Sequence, residues 1–110
     1  MAKIKANEAL VKALQAWDID HLYGIPGDSI DAVVDSLRTV RDQFKFYHVR
    51  HEEVASLAAG SYTKMTGKIG VALSIGGPGL VHLLNGMYDA KMDKVPQLIL
   101  SGQTLSLIHI

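Results

Sequence analysis

The chain has 110 residues, which is enough for one domain and too few for two. Its 11 Lys and Arg residues balance 11 Asp and Glu residues, so no net field draws in nucleic acid or an anionic membrane. Cysteine is absent, which excludes a disulfide framework and thiol chemistry. The sequence shows neither a secretory signal nor an apolar stretch of bilayer-spanning length. These features predict a cytoplasmic domain that does not bind nucleic acid.

The first half of the chain predicts two helices, each followed by a strand. Apolar residues at helical spacing indicate the first helix, with Asn7 as its N-cap. The second helix carries one apolar stripe, and Asp28 and Ser29 are its candidate caps. The two strands are the β-rich runs at residues 21–25 and 44–49.

The second half continues the alternation with two more helices and two more strands. Residues 69–75 form a nearly continuous apolar run, as a buried central strand requires, and residues 97–100 form the last strand. The third helix ends at Gly67. The apolar residues that mark the helices are Val54, Leu57, Ala58, Tyr62 and Met65 in the third and Leu80, Leu83, Leu84, Met87 and Tyr88 in the fourth. This order predicts an α/β fold with an open parallel sheet and helices on both faces.

The last six residues differ from the rest of the chain. Their sequence resembles the translation of a transposon sequencing adaptor, whose codons read CTG TCT CTT ATA CAC ATC; the alternative is a native hydrophobic tail. We therefore predict one truncated domain over residues 1–104 and a non-native tail over residues 105–110. The sheet would then be incomplete at its C-terminal end.

Two strand ends carry the candidate functional residues. Glu52 lies where residues 44–49 run into the third helix, and the glycine-rich turn at residues 76–79 follows the strand at 69–75. Because the carboxyl ends of parallel strands share an edge, both should lie at the ligand edge of the sheet. An acid at a helix start is also favoured by the helix dipole alone, and glycine and proline punctuate any turn. The turn has the spacing of neither a dinucleotide fingerprint nor a P-loop.

The histidines and the small residues of the third helix are two further features that bear on binding. The five histidines show no metal-ligand spacing, because His48 and His51 are separated by a strand-to-helix junction, so no metal site is predicted. Gly60 follows Ala58 and Ala59 in the third helix and makes a flat strip. Another helix, from this chain or from a partner, could approach closely there.

Five short motifs occur in order along the chain: YGIPG at residues 23–27, RHEEV at 50–54, TGKIGV at 66–71, GPG at 77–79 and VP at 95–96. Together they resemble the amino-terminal pyrimidine-binding domain of thiamine diphosphate enzymes, specifically the pyruvate oxidase family. The segment at residues 82–89 is more similar to pyruvate oxidases than to acetolactate synthases, which usually carry Asn at the position of His82.

The resemblance implies a catalytic role for Glu52. The matching glutamate hydrogen-bonds N1′ of the aminopyrimidine and favours the imino tautomer, which removes the C2 proton of the thiazolium. The resulting ylide attacks the ketone of pyruvate, and carbon dioxide leaves. The cofactor-binding residues implied by the match are Ile25, Pro26, Gly27, Glu52, Pro78 and His82.

The resemblance also implies cofactors and partners. Thiamine diphosphate, Mg²⁺ and FAD would be the cofactors, with the Mg²⁺-diphosphate and flavin segments further along the polypeptide. The full-length enzyme would be a homodimer or homotetramer with active sites shared between subunits, so this chain alone should be inactive. It would oxidise pyruvate to acetate or acetyl phosphate, with peripheral membrane contact if the electron acceptor is a quinone. The alternatives are an acetolactate synthase or other thiamine diphosphate-dependent 2-oxo acid decarboxylase, and a non-catalytic binding module of Rossmann or flavodoxin type.

Overall fold

The computed structural model describes residues 3–103, which alternate between helices and strands. The helices are α1 (Ala6–Ala16), α2 (Asp31–Thr39), α3 (Glu52–Thr66) and α4 (Pro78–Met92), and the strands are β1 (His21–Gly24), β2 (Lys45–His48), β3 (Gly70–Ser74) and β4 (Gln97–Ser101). A short 3₁₀ helix over Asp28–Ile30 precedes α2. The predicted tail at residues 105–110 lies outside the described residues. Within residues 3–103, no helix has the length and apolar character needed to cross a bilayer.

The four strands form one parallel sheet in the order β2-β1-β3-β4. Gly24 of β1 is in register with His48 of β2 and Leu73 of β3, and Ser74 of β3 is in register with Ser101 of β4. The carboxyl ends of all four strands therefore lie at one edge. This arrangement confirms the predicted parallel α/β fold.

Apolar side chains cover both faces of the sheet. In β3, Val71 and Leu73 join a core with α1 and α2, whereas Ala72 joins a second core with α3 and α4. The alternation follows from the two-residue side-chain period of a strand. All five residues of β3 are buried, as predicted for a central strand, and helices pack on both faces.

Small residues allow α3 and α4 to pack closely. Gly60 of α3 faces Ala90 of α4, so the flat strip predicted on α3 makes an internal contact. A side chain at Gly86 of α4 would overlap Ser56 Oγ and lie 2.5 Å from the backbone nitrogen of Leu57. This close approach fixes the start of α4 relative to the start of α3.

The buried side of α3 differs from the predicted apolar stripe. Its buried residues are Ala55, Ser56, Ala59, Gly60 and Thr63. Val54, Leu57 and Met65 are exposed instead, at 49%, 38% and 87% of their surface. Because β3 and α4 lie too close for large side chains, small residues occupy the inner side of α3. The apolar residues that marked the third helix in the sequence therefore identify the helix, but these three do not lie on its buried side.

The predicted N-caps of the first two helices are wrong. Asn7 lies inside α1, where its side-chain nitrogen donates hydrogen bonds to Ala32 O at 2.8 Å and to Ser36 Oγ at 2.6 Å. Asp28 and Ser29 lie in the 3₁₀ helix, and no side chain caps α2. Asn7 therefore joins α1 to α2 instead of ending a helix.

Gly60 and Gly86 provide a matched pair for testing the α3–α4 packing. Gly86→Ala should destabilise the protein by roughly 1–3 kcal/mol, because the new methyl group meets backbone that cannot move aside. Gly60→Ala should stabilise it by up to about 1 kcal/mol, because alanine favours the helix and its Cβ would have ordinary 3.7 Å contacts. Thermal unfolding of both variants measures the difference, and equal shifts in the midpoint would contradict the packing described.

Candidate active site

Three loops meet at the carboxyl edge of the sheet. Residues 25–27 follow β1, Glu52 opens α3 after β2, and Pro78 opens α4 after β3. A side chain at Gly79 would lie 3.4 Å from Glu52 Oε1, so the starts of α3 and α4 adjoin. The carboxylate and the glycine-rich turn are therefore neighbours, as the parallel strand order predicts.

The loops after β1 and β3 enclose an open cavity of about 550 Å³. Its lining residues are Gly27, Asp28, Ser29, Ile75, Gly76, Gly77 and Pro78. A side chain at Gly27 would lie 2.5 Å from Ile75 Cγ2, so the two loops touch. Gly77 has a φ of 69°, in the region that favours glycine, and turns the chain into α4. Three of the seven lining residues are glycines, and the lining carries neither Lys nor Arg.

Glu52 is held by a hydrogen bond from His82. The Glu52 side chain is only 14% exposed, and its Oε2 lies 2.9 Å from His82 Nδ1. An ionised carboxylate only accepts hydrogen bonds, so His82 Nδ1 carries the hydrogen and donates it. His82 lies one turn into α4, and the close packing of α3 and α4 brings its ring to the carboxylate.

The environment favours the ionised form of Glu52. The hydrogen bond from His82 lowers the pKa of the Glu52 carboxyl below its ordinary value of 4.5. Partial burial raises this pKa, but the hydrogen bond is the larger effect. Glu52 therefore presents a carboxylate at neutral pH, with Oε2 occupied by His82 and Oε1 beside Gly79.

His51 completes the surroundings of Glu52. It is the N-cap of α3, and its Nδ1 accepts a hydrogen bond from the backbone nitrogen of Glu53 at 3.2 Å. Its ring stacks on that of His82, with centroids 4.4 Å apart and planes 29° apart. Sequence reasoning did not assign His51 to the site. Its position next to Glu52 at a helix start was the available signal, whereas the contact with His82 spans 31 positions and is invisible in local spacing.

The adjacent acid, Glu53, points elsewhere. Its Oε2 accepts a hydrogen bond from the side-chain nitrogen of Asn85, at an exposed position between α3 and α4. This contact links the two helices outside the cavity edge. Of the two acids, Glu52 is therefore the one that lies at the glycine-rich turn.

The six predicted site residues are distributed unevenly. Glu52 and His82 are in direct contact, and Gly27 and Pro78 line the cavity. Ile25 is half-buried directly after β1. Pro26 instead lines a separate cleft of about 860 Å³ beside α2 and β2. Four of the six residues, Gly27, Glu52, Pro78 and His82, therefore lie around the glycine-rich turn and the carboxylate. Pro26 lies on another surface.

Residues 4–106 match the protein family described as thiamine pyrophosphate enzyme, N-terminal TPP binding domain. The match covers nearly the whole chain. The chain belongs to this family, and the resemblance inferred from the five motifs is confirmed.

Individual relatives refine the comparison. The chain is 57% identical over 96% of its length to a putative thiamine pyrophosphate-containing protein, YdaP, of Bacillus subtilis. It is 53% identical over 91% of its length to a pyruvate oxidase of Lactiplantibacillus plantarum. It is 36% identical over 96% of its length to the large subunit of acetolactate synthase of Buchnera aphidicola. The chain spans only 18%, 17% and 18% of these three proteins, respectively.

Proposed function

We propose that the chain is the pyrimidine-binding part of a thiamine diphosphate- and flavin-dependent pyruvate oxidase, in which Glu52 hydrogen-bonds N1′ of the aminopyrimidine. The observation that carries this proposal is the position of the Glu52 carboxylate. It is largely buried at the strand edge, with Oε2 held by His82 and Oε1 close to Gly79 of the glycine-rich turn. Membership of the thiamine pyrophosphate enzyme family supports the choice of coenzyme.

The residues around the cavity fit the pyrimidine end of the coenzyme and not its diphosphate end. A diphosphate group needs cations or a metal ion to balance its charge, and the cavity lining offers no Lys or Arg. An uncharged ring needs close backbone and one directed polar group. The glycine turn lines the cavity with backbone, and the Glu52 carboxylate, although not in the lining, lies next to Gly79 of the same turn. We therefore place the Mg²⁺-diphosphate site and the FAD site in other parts of the full-length protein.

Glu52 and His82 have separate tasks in this proposal. The bound coenzyme supplies the electron sink that decarboxylation requires. Because an ionised carboxylate and an unprotonated ring nitrogen both accept hydrogen bonds, one proton would have to be taken up between them when the coenzyme binds. Glu52 would orient the pyrimidine by sharing that proton with N1′ through Oε1. His82 keeps the carboxylate in position through Oε2, because its Nδ1 hydrogen is committed to that oxygen.

We propose that a second copy of the protein, in a homodimer or homotetramer, supplies the diphosphate half of the site. The exposed sides of α3 and α4 carry an apolar surface, which we call the α3–α4 surface, formed by Val54, Leu57, Val81, Leu84 and Tyr88. These side chains are between 38% and 64% exposed, and the surface begins within one turn of Glu52 and Pro78. An extended apolar surface beside a half-site is suited to burial against a subunit that completes the site.

The choice of reaction rests on sequence similarity. The pyruvate oxidase relative is 53% identical to the chain, whereas the acetolactate synthase relatives are 34–38% identical. We therefore prefer pyruvate oxidation, to acetate or acetyl phosphate, over condensation to acetolactate. The proposed location is the cytoplasm, with peripheral membrane contact in the case of a quinone acceptor.

Flavin reduction tests the reaction and the role of Glu52 together. The full-length protein, loaded with thiamine diphosphate, Mg²⁺ and FAD, should bleach its flavin absorbance when pyruvate is added without oxygen. The rate should fall by about 100-fold or more in Glu52→Gln, the range expected for loss of a general acid–base group. Glu53→Gln is the matched control and should stay near wild type, because Glu53 contacts Asn85 outside the cavity.

Accumulation of acetolactate with oxidised flavin would overturn the pyruvate oxidase assignment. A Glu52→Gln variant that bleaches flavin at the wild-type rate would overturn the role given to Glu52. The two results are independent, so either part of the proposal can fail alone.

Introducing a charge into the α3–α4 surface tests the shared site. Leu84→Asp in the full-length protein should dissociate the assembly in sedimentation experiments, because a buried unpaired carboxylate is strongly unfavourable. Coenzyme affinity should fall about tenfold or more with it. Trp17→Asp is the control, since Trp17 is 69% exposed at the end of α1 on the opposite side of the sheet. An intact assembly with unchanged coenzyme affinity in Leu84→Asp would contradict the proposed interface.

A further inference from the structure

His51, Glu52 and His82 form a compact group of metal-ligating side chains. One ligand atom of each lies within 4.8 Å of the others. The Glu52 and His82 ligand atoms are 2.9 Å apart, and the two imidazole rings stack at 4.4 Å. The group forms because the starts of α3 and α4 adjoin, which the spacing of histidines along the chain does not reveal.

Two imidazoles and one carboxylate are a donor set that binds Zn²⁺ at catalytic sites, where a fourth position stays open. Imidazole donors favour transition metals such as Zn²⁺ and Cu²⁺ over Mg²⁺ and Ca²⁺. We propose that His51, Glu52 and His82 bind a divalent transition-metal ion such as Zn²⁺ when the coenzyme is absent. The ion and the aminopyrimidine would then compete for Glu52. The competition rests on the proposed function, whereas the metal binding does not.

The group can close around an ion with small movements. Bonds of about 2.0–2.1 Å in a tetrahedral site would bring the ligand atoms to about 3.4 Å from one another. The His51 side chain is exposed, and the His82 side chain is 43% exposed, so both rings have room to turn out of their stack. Glu52 is the least exposed member at 14%, and a carboxylate there supplies the charge that balances the cation. The ion would take the place of the Nδ1 hydrogen that His82 now donates to Glu52 Oε2.

The competition follows from the position of the shared ligand. Glu52 Oε1 lies beside Gly79, on the side where the proposed coenzyme ring enters, and Oε2 lies beside His82. An ion bound between Glu52 and the two histidines would withdraw the carboxylate from that ring. Coenzyme binding would in turn remove one of three ligands from the metal site.

Zn²⁺ titration of the full-length protein, stripped of coenzyme and metals, tests the site by calorimetry. His51→Asn removes an imidazole while keeping a good N-cap, and His82→Asn removes the other while keeping a donor for Glu52. Each variant should bind Zn²⁺ at this site about tenfold more weakly or worse. His48→Gln is the matched control and should leave the affinity unchanged, because His48 is an exposed histidine outside the group. Equal affinities in the wild type and all three variants would overturn the metal site.

A second titration in saturating thiamine diphosphate separates this inference from the proposed function. The Zn²⁺ binding that depends on His51 and His82 should disappear, whereas inorganic diphosphate at the same concentration, which chelates Zn²⁺ without carrying a pyrimidine, should have the smaller effect. If the histidine-dependent binding survives the coenzyme, the metal site stands and the contact between Glu52 and the pyrimidine is wrong. If the coenzyme binds normally and histidine-dependent Zn²⁺ binding is absent, the metal inference fails and the proposed function stands.

Discussion

The hydrogen bond between His82 and Glu52 depends on how closely two helices can approach each other. Gly86 contacts Ser56, and Gly60 faces Ala90, so α3 and α4 pack without large side chains between them. Larger residues there would separate the helix starts and remove the 2.9 Å contact. Since that contact lowers the pKa of Glu52, small residues deep in the domain favour the ionised form of a carboxylate at its edge.

The same packing gives α3 two unlike sides. Its inner side is restricted to small residues, so its large apolar residues lie on the outside together with those of α4. The outer surface is suited to a subunit interface. The carboxyl edge presents an open cavity of about 550 Å³ whose lining lacks basic residues. Close helix packing therefore links the proposed coenzyme half-site with the surface through which a partner would complete it.

The strand ends were predictable from sequence, and the contacts between helices were not. Parallel order alone predicts that Glu52 and the turn before Pro78 share an edge, and Gly67 ends α3 with a φ of 72° as expected of a C-terminal glycine. Helical periodicity marked Met65 as one of the apolar residues of the third helix, but a pattern of apolar residues does not reveal how close the neighbouring helix lies, and Met65 is exposed. The stacking of His51 on His82 joins residues 31 positions apart, beyond any local rule.

Hydrogen–deuterium exchange at C2 of the bound coenzyme, followed by NMR in the full-length protein, reports most directly on the role of Glu52. The carboxylate is proposed to activate the pyrimidine and not merely to hold it. We therefore expect Glu52→Gln to slow the exchange by about 100-fold or more while coenzyme affinity stays nearly intact. Exchange at the wild-type rate in that variant would remove Glu52 from the mechanism.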